Sequence, residues 1–187
     1  MVKTSDTNTR ARKKSVDLID YVWSNNEKKQ QQLSKSIAKV LTDPTLNEKA
    51  IIGRLGMFIK KLGKEDTIHA LAKQPHQNIL GLNYEQLTEF ACMWCSHKNP
   101  KVRQNSLKMI IEICKVNSLD PRGESFKPRI VNYILGLRAS LRGPLITKIN
   151  EVCRLEQAEQ EEGGQIKTYI DVNEFELNLA TNKRSAS

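Results

Sequence analysis

Two cysteines separated by two residues, Cys92 and Cys95, are the side chains whose spacing best fits redox or metal chemistry, and His97 follows closely. A redox pair needs its first thiol at the start of a helix, where the helix dipole lowers the thiol pKa. A zinc site needs a second pair of ligands at similar spacing. The cysteines fall late in a predicted helix, and the other cysteines and histidines are scattered singly. One or both cysteines are therefore predicted to be small core residues, with metal binding and redox chemistry as alternatives.

Motifs for common enzymatic reactions are missing from the sequence. It contains no glycine-rich phosphate loop, no Gly-x-Ser-x-Gly and no His-Glu-x-x-His. The segment Gly53-Arg54-Leu55-Gly56 lacks the lysine and the preceding strand of a phosphate loop. The sequence thus predicts a protein that is not an enzyme and uses no cofactor or metal.

Positive charge is concentrated in the second half of the chain, which has 187 residues and a net charge of +9. Residues 97–154 carry twelve basic and four acidic side chains, whereas residues 155–187 carry three basic and seven acidic ones. A positive surface attracts an acidic protein, nucleic acid or anionic lipid. Few aromatic residues lie among the basic ones, which argues against base stacking on single strands. The alternative is that these side chains are only the solvated faces of helices.

Targeting signals are not evident. No apolar run approaches the ~18 residues of a membrane span, and the polar N-terminus does not resemble a secretory signal. Four cysteines without such a signal indicate a reducing compartment. The expectation is a cytoplasmic protein that does not enter a membrane.

The apolar pattern predicts an all-α chain in three parts. Residues 1–14 have the composition of a basic disordered arm, residues 15–162 contain about eight helices, and residues 163–187 form an acidic and apolar tail. The tail is predicted to dock on its own body, to bind a partner, or to stay disordered. No sequence pattern separates these three possibilities.

Local signals predict where several helices begin. Thr45 and Glu48 match a capping box, and Pro144 after Gly143 is suited to the first position of the last helix. The amphipathic stretches 84–98 and 101–116 are separated only by Asn99-Pro100. Two antiparallel helices joined by so short a turn are the unit of an α-solenoid.

Polar residues at the turns are the candidates for partner binding. If hairpins stack, their successive turns lie along one edge, and the basic residues there form a row. The first turn is predicted at Asn99-Pro100 and the second at 139–143. Arg103 is also expected to brace a neighbouring repeat. The candidates are Lys98, Asn99, Lys101 and Arg103 at the first turn, Arg138 and Arg142 flanking the second, and Lys148 one helical turn later.

Two segments resemble a known family. Asn99-Pro100-Lys101-Val102-Arg103, followed by an apolar helix face through Cys114, resembles the turn and second helix of a HEAT repeat. Trp23-Ser24-Asn25-Asn26, followed by an amphipathic helix to Leu41, resembles the first intra-repeat loop of a tubulin-binding TOG domain. The order of helices from 51 to 116 is most similar to TOG domains of the centrosomal, ciliary-tip branch.

The resemblance implies a short right-handed α-solenoid of HEAT- or ARM-like hairpins that binds tubulin or microtubules, at the cytoskeleton and possibly a cilium or centrosome. It implies that Trp23 contacts tubulin, although Trp23 is also a candidate core residue. It assigns polar contacts to Lys98, Asn99 and Lys101 in a middle turn and to two arginines in a later turn. The chain has room for three or four repeats, whereas a TOG domain normally has six. The alternatives are a scaffold that holds a partner peptide or helix and, second, nucleic-acid binding by the basic half.

Overall fold

The computed structural model of the chain describes residues 45–63, 82–120, 123–160 and 168–171, with the backbone alone for 154–160, and nine isolated positions before residue 45. The described part is helical and contains no strand, so the all-α prediction is confirmed. Helices predicted at 15–23, 27–41 and 64–73 lie largely outside the described residues. A one-turn 3-10 helix, Gly123–Ser125, precedes the fourth α-helix. The α-helices are α1 Glu48–Leu62, α2 Tyr84–Met93, α3 Pro100–Ser118, α4 Lys127–Leu135 and α5 Ala139–Gln160.

Helix α1 begins with a different cap from the one predicted. The side chain of Asn47 accepts a hydrogen bond of 2.9 Å from the N–H of Ala50. Thr45 instead donates both its N–H and its hydroxyl to Asp43 Oδ1. The capping box predicted at Thr45 and Glu48 is therefore wrong, because Asn47 occupies the N-cap position. Glu48 becomes the first helical residue, and its carboxylate contacts another part of the molecule.

Helix α2 begins at a capping box that the sequence analysis missed and ends earlier than predicted. Asn83 accepts from the N–H of Gln86 at 2.8 Å, and the Gln86 side chain accepts from the N–H of Asn83 at 3.1 Å. The helix ends at Met93, five residues before the predicted end, and residues 94–96 form a turn. This earlier end lengthens the connection to α3.

Helix α5 begins at Ala139, so the turn predicted at 139–143 is wrong. The carbonyl of Arg138 accepts the first helical hydrogen bonds, and Pro144 lies inside the helix. Proline cannot donate to the carbonyl four residues earlier, and its ring crowds the preceding residue. That residue is Gly143, which has no Cβ to clash, so the helix continues through the proline. The actual turn is Gly136 to Arg138.

Helix α3 occupies the centre of the described structure. It packs against α1, α2 and α5, and α2 also packs against α4. Glu48 at the start of α1 meets Asn99 at the start of α3, so these two helices begin at the same end. Glu85 at the start of α2 meets Arg129 near the start of α4, at 2.9 Å. The core is mainly aliphatic, with an edge-to-face ring contact between Phe58 and Phe90.

The tail docks on the body at residues 168–171. Tyr169 and Ile170 are 4% and 1% exposed and belong to the main hydrophobic core. Of the three possibilities for the tail, the structure shows docking for this segment. The four described residues Arg10, Ala11, Lys13 and Lys14 are helical, within the stretch for which a disordered arm is predicted.

Candidate binding surface at the helical turns

The connection between α2 and α3, residues 94–99, is held by local hydrogen bonds. The N–H of His97 donates to the carbonyl of Trp94 at 3.1 Å. The N–H of Asn99 donates to His97 Nδ1 at 3.1 Å. The Trp94 and His97 rings meet edge to face, with centroids 5.9 Å apart. The connection is therefore an ordered turn.

Both polar atoms of the Asn99 side-chain amide make hydrogen bonds within the protein. Its Oδ1 accepts a hydrogen bond of 2.9 Å from the N–H of Lys101, which caps α3. Its Nδ2 donates to Glu48 Oε2 at 3.0 Å, which ties the turn to the first residue of α1. The predicted partner-binding role of Asn99 stays a prediction, whereas its capping role is visible.

Arg103 binds the backbone of its own turn. Its Nη1 donates to the carbonyls of His97 and Lys98, both at 2.8 Å. The expectation that Arg103 braces a neighbouring repeat is not met in these two contacts. Hydrogen bonds from a charged donor are stronger than those between neutral groups. The guanidinium thus fixes two carbonyls of the turn, in addition to the Asn99 cap.

Lys98 and Lys101 present their ammonium groups to solvent. The side chain of Lys98 is 85% exposed, with Nζ 3.8 Å from Glu48 Oε1. An exposed ion pair at this distance contributes only about 0–1 kcal/mol, so Lys98 is available to another acidic group. Lys101 is exposed as well, on the first turn of α3. These two lysines are displayed by a turn that Asn99 and Arg103 hold in place.

The turn between α4 and α5 has a related construction. Arg142, the fourth residue of α5, donates through Nη1 to the carbonyl of Leu135 at 3.1 Å. Arg103 is the fourth residue of α3, so both arginines reach back over the turn that precedes their helix. Arg138 is exposed at the N-cap position of α5. Lys148 pairs with Glu151 on the same helix at 2.8 Å.

The structure therefore brings one group of candidates together and leaves the others separate. Lys98, Asn99, Lys101 and Arg103 share the α2–α3 turn. Arg138 and Arg142 lie at the α4–α5 turn, and Lys148 lies on the outer surface of α5, each with contacts of its own. Trp23 lies outside the described residues, so neither its exposure nor its burial is tested.

The cysteine pair is next to the candidate surface: Cys95 belongs to the core, and half-buried Cys92 packs against it. Cys95 is buried, and its Sγ lies 3.7 Å from the carbonyl oxygen of Ala91. A hydrogen bond to Cys95, together with burial, raises the pKa of the Cys92 thiol, while the same bond lowers the pKa of Cys95. All four cysteines of the chain are free thiols. In the described part of the chain, no group of three metal-binding side chains forms.

Sequence reasoning missed two asparagines that hold the tail. Asn117 in α3 donates to the Tyr169 hydroxyl at 2.7 Å, and Asn150 in α5 makes two hydrogen bonds to the backbone of Ile170. Asn117 continues the apolar face of α3, three residues after buried Cys114. The sequence did contain a signal for this contact: a polar side chain on an apolar helix face is predicted to be buried, and a buried amide needs a hydrogen-bond partner.

Comparison with known proteins identifies no relative of the chain: no protein-family model, curated protein or solved structure matches it. Among the described helices, none is long and apolar enough to cross a membrane.

Proposed function

We propose that this chain is a non-enzymatic binding module built as a short right-handed α-solenoid of HEAT-like hairpins. Two observations support the repeat. The starts of α1 and α3 meet at one end, and the starts of α2 and α4 meet through Arg129 and Glu85. In addition, Arg103 and Arg142 occupy the same position in their helices and bind carbonyls of the preceding turn.

The proposed ligand is an acidic protein surface, with tubulin or the microtubule as the candidate that the TOG resemblance supplies. The α2–α3 turn carries the proposal. Arg103 and Asn99 already fix its backbone, so little conformational entropy is lost when a partner binds. Lys98 and Lys101 then offer two cations that need only side-chain adjustment to reach carboxylates. Such contacts speed association and make affinity sensitive to salt.

Arg138 extends the proposed surface if α5 lies beside α3 in the same direction. Burial and the nearby Cys153 thiol raise the pKa of Cys114, and the packed helices α3 and α5 place each cysteine fourteen residues after the first residue of its helix, which supports this arrangement. The proposed site of action is the cytoplasm, at the cytoskeleton and possibly at a cilium or centrosome.

Microtubule co-sedimentation of the full chain tests the proposal. The wild type is compared with Lys101→Glu and with Lys98/Lys101→Glu, while Arg103 is kept because it holds the turn. Lys60→Glu is the matched control: Lys60 is exposed, and it lies twelve residues after Glu48 in α1, about 18 Å along the helix axis. Lys101→Glu and Lys60→Glu change the net charge equally.

Pelleting of the wild type at low salt, reduced by Lys101→Glu and unchanged by Lys60→Glu, would support binding through the α2–α3 turn. Equal losses in both single variants would indicate attraction by net charge alone. No pelleting and no binding of free tubulin dimers would remove tubulin as the partner. A parallel titration with a duplex oligonucleotide tests the nucleic-acid alternative, whose affinity would fall as a steep power of salt concentration.

A further inference from the structure

The docked tail lies in a groove bounded by three helices. Its wall includes Asn117 near the end of α3, Lys127 at the start of α4 and Asn150 in α5. We call this the tail groove. The segment 168–171 occupies it, with both Tyr169 and Ile170 buried. The groove is separate from the α2–α3 turn, because Asn117 lies eighteen residues further along α3 than Asn99.

The tail groove recognises a tyrosine side chain. The Tyr169 hydroxyl accepts a hydrogen bond of 2.7 Å from Asn117 Nδ2, and Lys127 Nζ lies 5.2 Å from the ring centroid, in the range of a cation–π contact. Burial raises the pKa of the hydroxyl well above its usual range, with the buried thiol of Cys114 contributing. The groove therefore favours a neutral tyrosine. Asn117 Oδ1 is also buried, and it has no hydrogen-bond partner among the described residues.

The tail groove also binds the backbone of the docked segment. Asn150 Nδ2 donates to the carbonyl of Ile170 at 3.0 Å, and Asn150 Oδ1 accepts from the N–H of Ile170 at 2.8 Å. The Asn150 amide thus pairs with both polar backbone groups of a single residue, Ile170. These two bonds recognise any backbone in this conformation. The buried side chains of Tyr169 and Ile170 add the selectivity.

We propose that the tail groove is a peptide-binding site for an acidic segment of another protein, with a tyrosine followed by a branched aliphatic residue, and that residues 168–171 are its intramolecular occupant. Charge complementarity supports an acidic ligand. Residues 97–154, which include the groove residues as well as the α2–α3 turn, carry a net charge of +8, and residues 155–187, which supply the occupant, carry −4. This site is independent of the turn surface proposed above.

Residues 168–171 compete with any partner segment for the tail groove. Seven residues, including Gly163 and Gly164, separate Gln160 from Thr168. A short tether gives its attached ligand an effective concentration on the order of millimolar. A partner segment must therefore displace the tail, and a chain without a competent tail binds such a segment more tightly.

A peptide-binding measurement on the full-length chain tests this inference. Tyr169→Ala/Ile170→Ala empties the tail groove and leaves its walls unchanged. The probe is a fluorescent peptide with the sequence of residues 165–174, followed by fluorescence anisotropy. The expected affinity for the double variant is at least about tenfold higher than for the wild type, whose groove is occupied.

Three controls make the result specific. A probe with alanine in place of the tyrosine should lose at least about tenfold in affinity, in line with a hot-spot aromatic residue. Adding Asn150→Ala to the double variant should weaken binding, whereas Asn132→Ala, an exposed asparagine on α4, should not. A probe with lysine at both acidic positions should bind less tightly at low salt.

Equal, weak binding of the probe to the wild type and to a folded double variant would overturn the inference. Loss of the cooperative thermal transition in the double variant would also overturn it, because Tyr169 and Ile170 would then be obligatory core. Sedimentation of a wild-type dimer that the double variant loses would identify a second copy of the chain, rather than another protein, as the occupant.

Discussion

The α2–α3 turn and the α4–α5 turn share a plan, but they differ in how many parts of the molecule hold them. In both turns an arginine at the fourth position of the next helix donates to a preceding carbonyl. Arg103 binds two carbonyls and Arg142 binds one. Only the first turn has an asparagine cap that also bonds to a third helix, through Glu48, as far as the described residues show. Similar basic sequences can thus display cations on turns of different rigidity.

Replacing the two arginines should have the largest effect on stability and should separate the turns. Arg103→Ala removes two charge-assisted hydrogen bonds and should lower the free energy of unfolding by about 2–3 kcal/mol. Arg142→Ala removes one longer bond and should cost about 1 kcal/mol. Urea unfolding followed by circular dichroism measures both. Equal losses of stability in the two variants would show that the bond from Arg103 to a second carbonyl does not stabilise the protein. The two turns would then not differ in the proposed way.

Replacing Asn99 should have the next largest effect on the free energy of unfolding after replacing Arg103. Asn99→Ala removes the cap and the bond to Glu48 and should cost about 1–2 kcal/mol. Asn99→Asp is the informative control, since aspartate keeps the capping oxygen but cannot donate to the Glu48 carboxylate. An aspartate variant as stable as the wild type would mean that the contact with α1 does not stabilise the turn.

The second turn can be made more like the first. Arg138→Asn would place a capping side chain at the start of α5, where the exposed arginine now stands. It should raise the free energy of unfolding by about 0.5–1 kcal/mol, because asparagine is a preferred N-cap residue. A thermal melt measures the change. A lower melting temperature would show that Arg138 already stabilises this turn through its own side chain.

Lys98 should have the smallest effect on stability. Its pair with Glu48 is exposed and 3.8 Å long, so Lys98→Gln should change the free energy of unfolding by less than about 0.5 kcal/mol. The same variant should still weaken binding to an acidic partner. A destabilisation near 2 kcal/mol would place Lys98 with the structural residues of the turn.

Local sequence signals located the helices best where no second local signal or contact competes with them. Helix α3 was predicted within two residues at each end, because Asn99-Pro100 opens it and its apolar positions recur at helical spacing. The capping box at Thr45 failed because another capping residue, Asn47, lies two positions later. The start of α5 failed because Gly143-Pro144 favours a helix start locally. The helix nonetheless begins at Ala139, because the Arg138 carbonyl accepts the first helical hydrogen bonds and the Arg142 side chain donates to the carbonyl of Leu135.

The candidate site shows a second limit, which is the distance between interacting residues along the sequence. The sequence placed four polar residues at one turn, and the structure keeps them together. The sequence could not show which of the four hold the turn and which face solvent. Glu48, the partner of Asn99, lies 51 positions away in the sequence. The tail groove was missed for the same reason, since its asparagines act on a segment 20 and 52 residues distant.

The affinity of the full chain for tubulin dimers tests the central claim most directly, namely that the ordered α2–α3 turn carries acidic-partner binding. Lys98/Lys101→Glu, Arg138→Glu and Lys60→Glu are compared with the wild type at low salt. The account predicts a loss of about tenfold or more for the first variant, a smaller loss for the second and none for the third, where tenfold is about 1.4 kcal/mol. Equal dissociation constants for all three variants would contradict it.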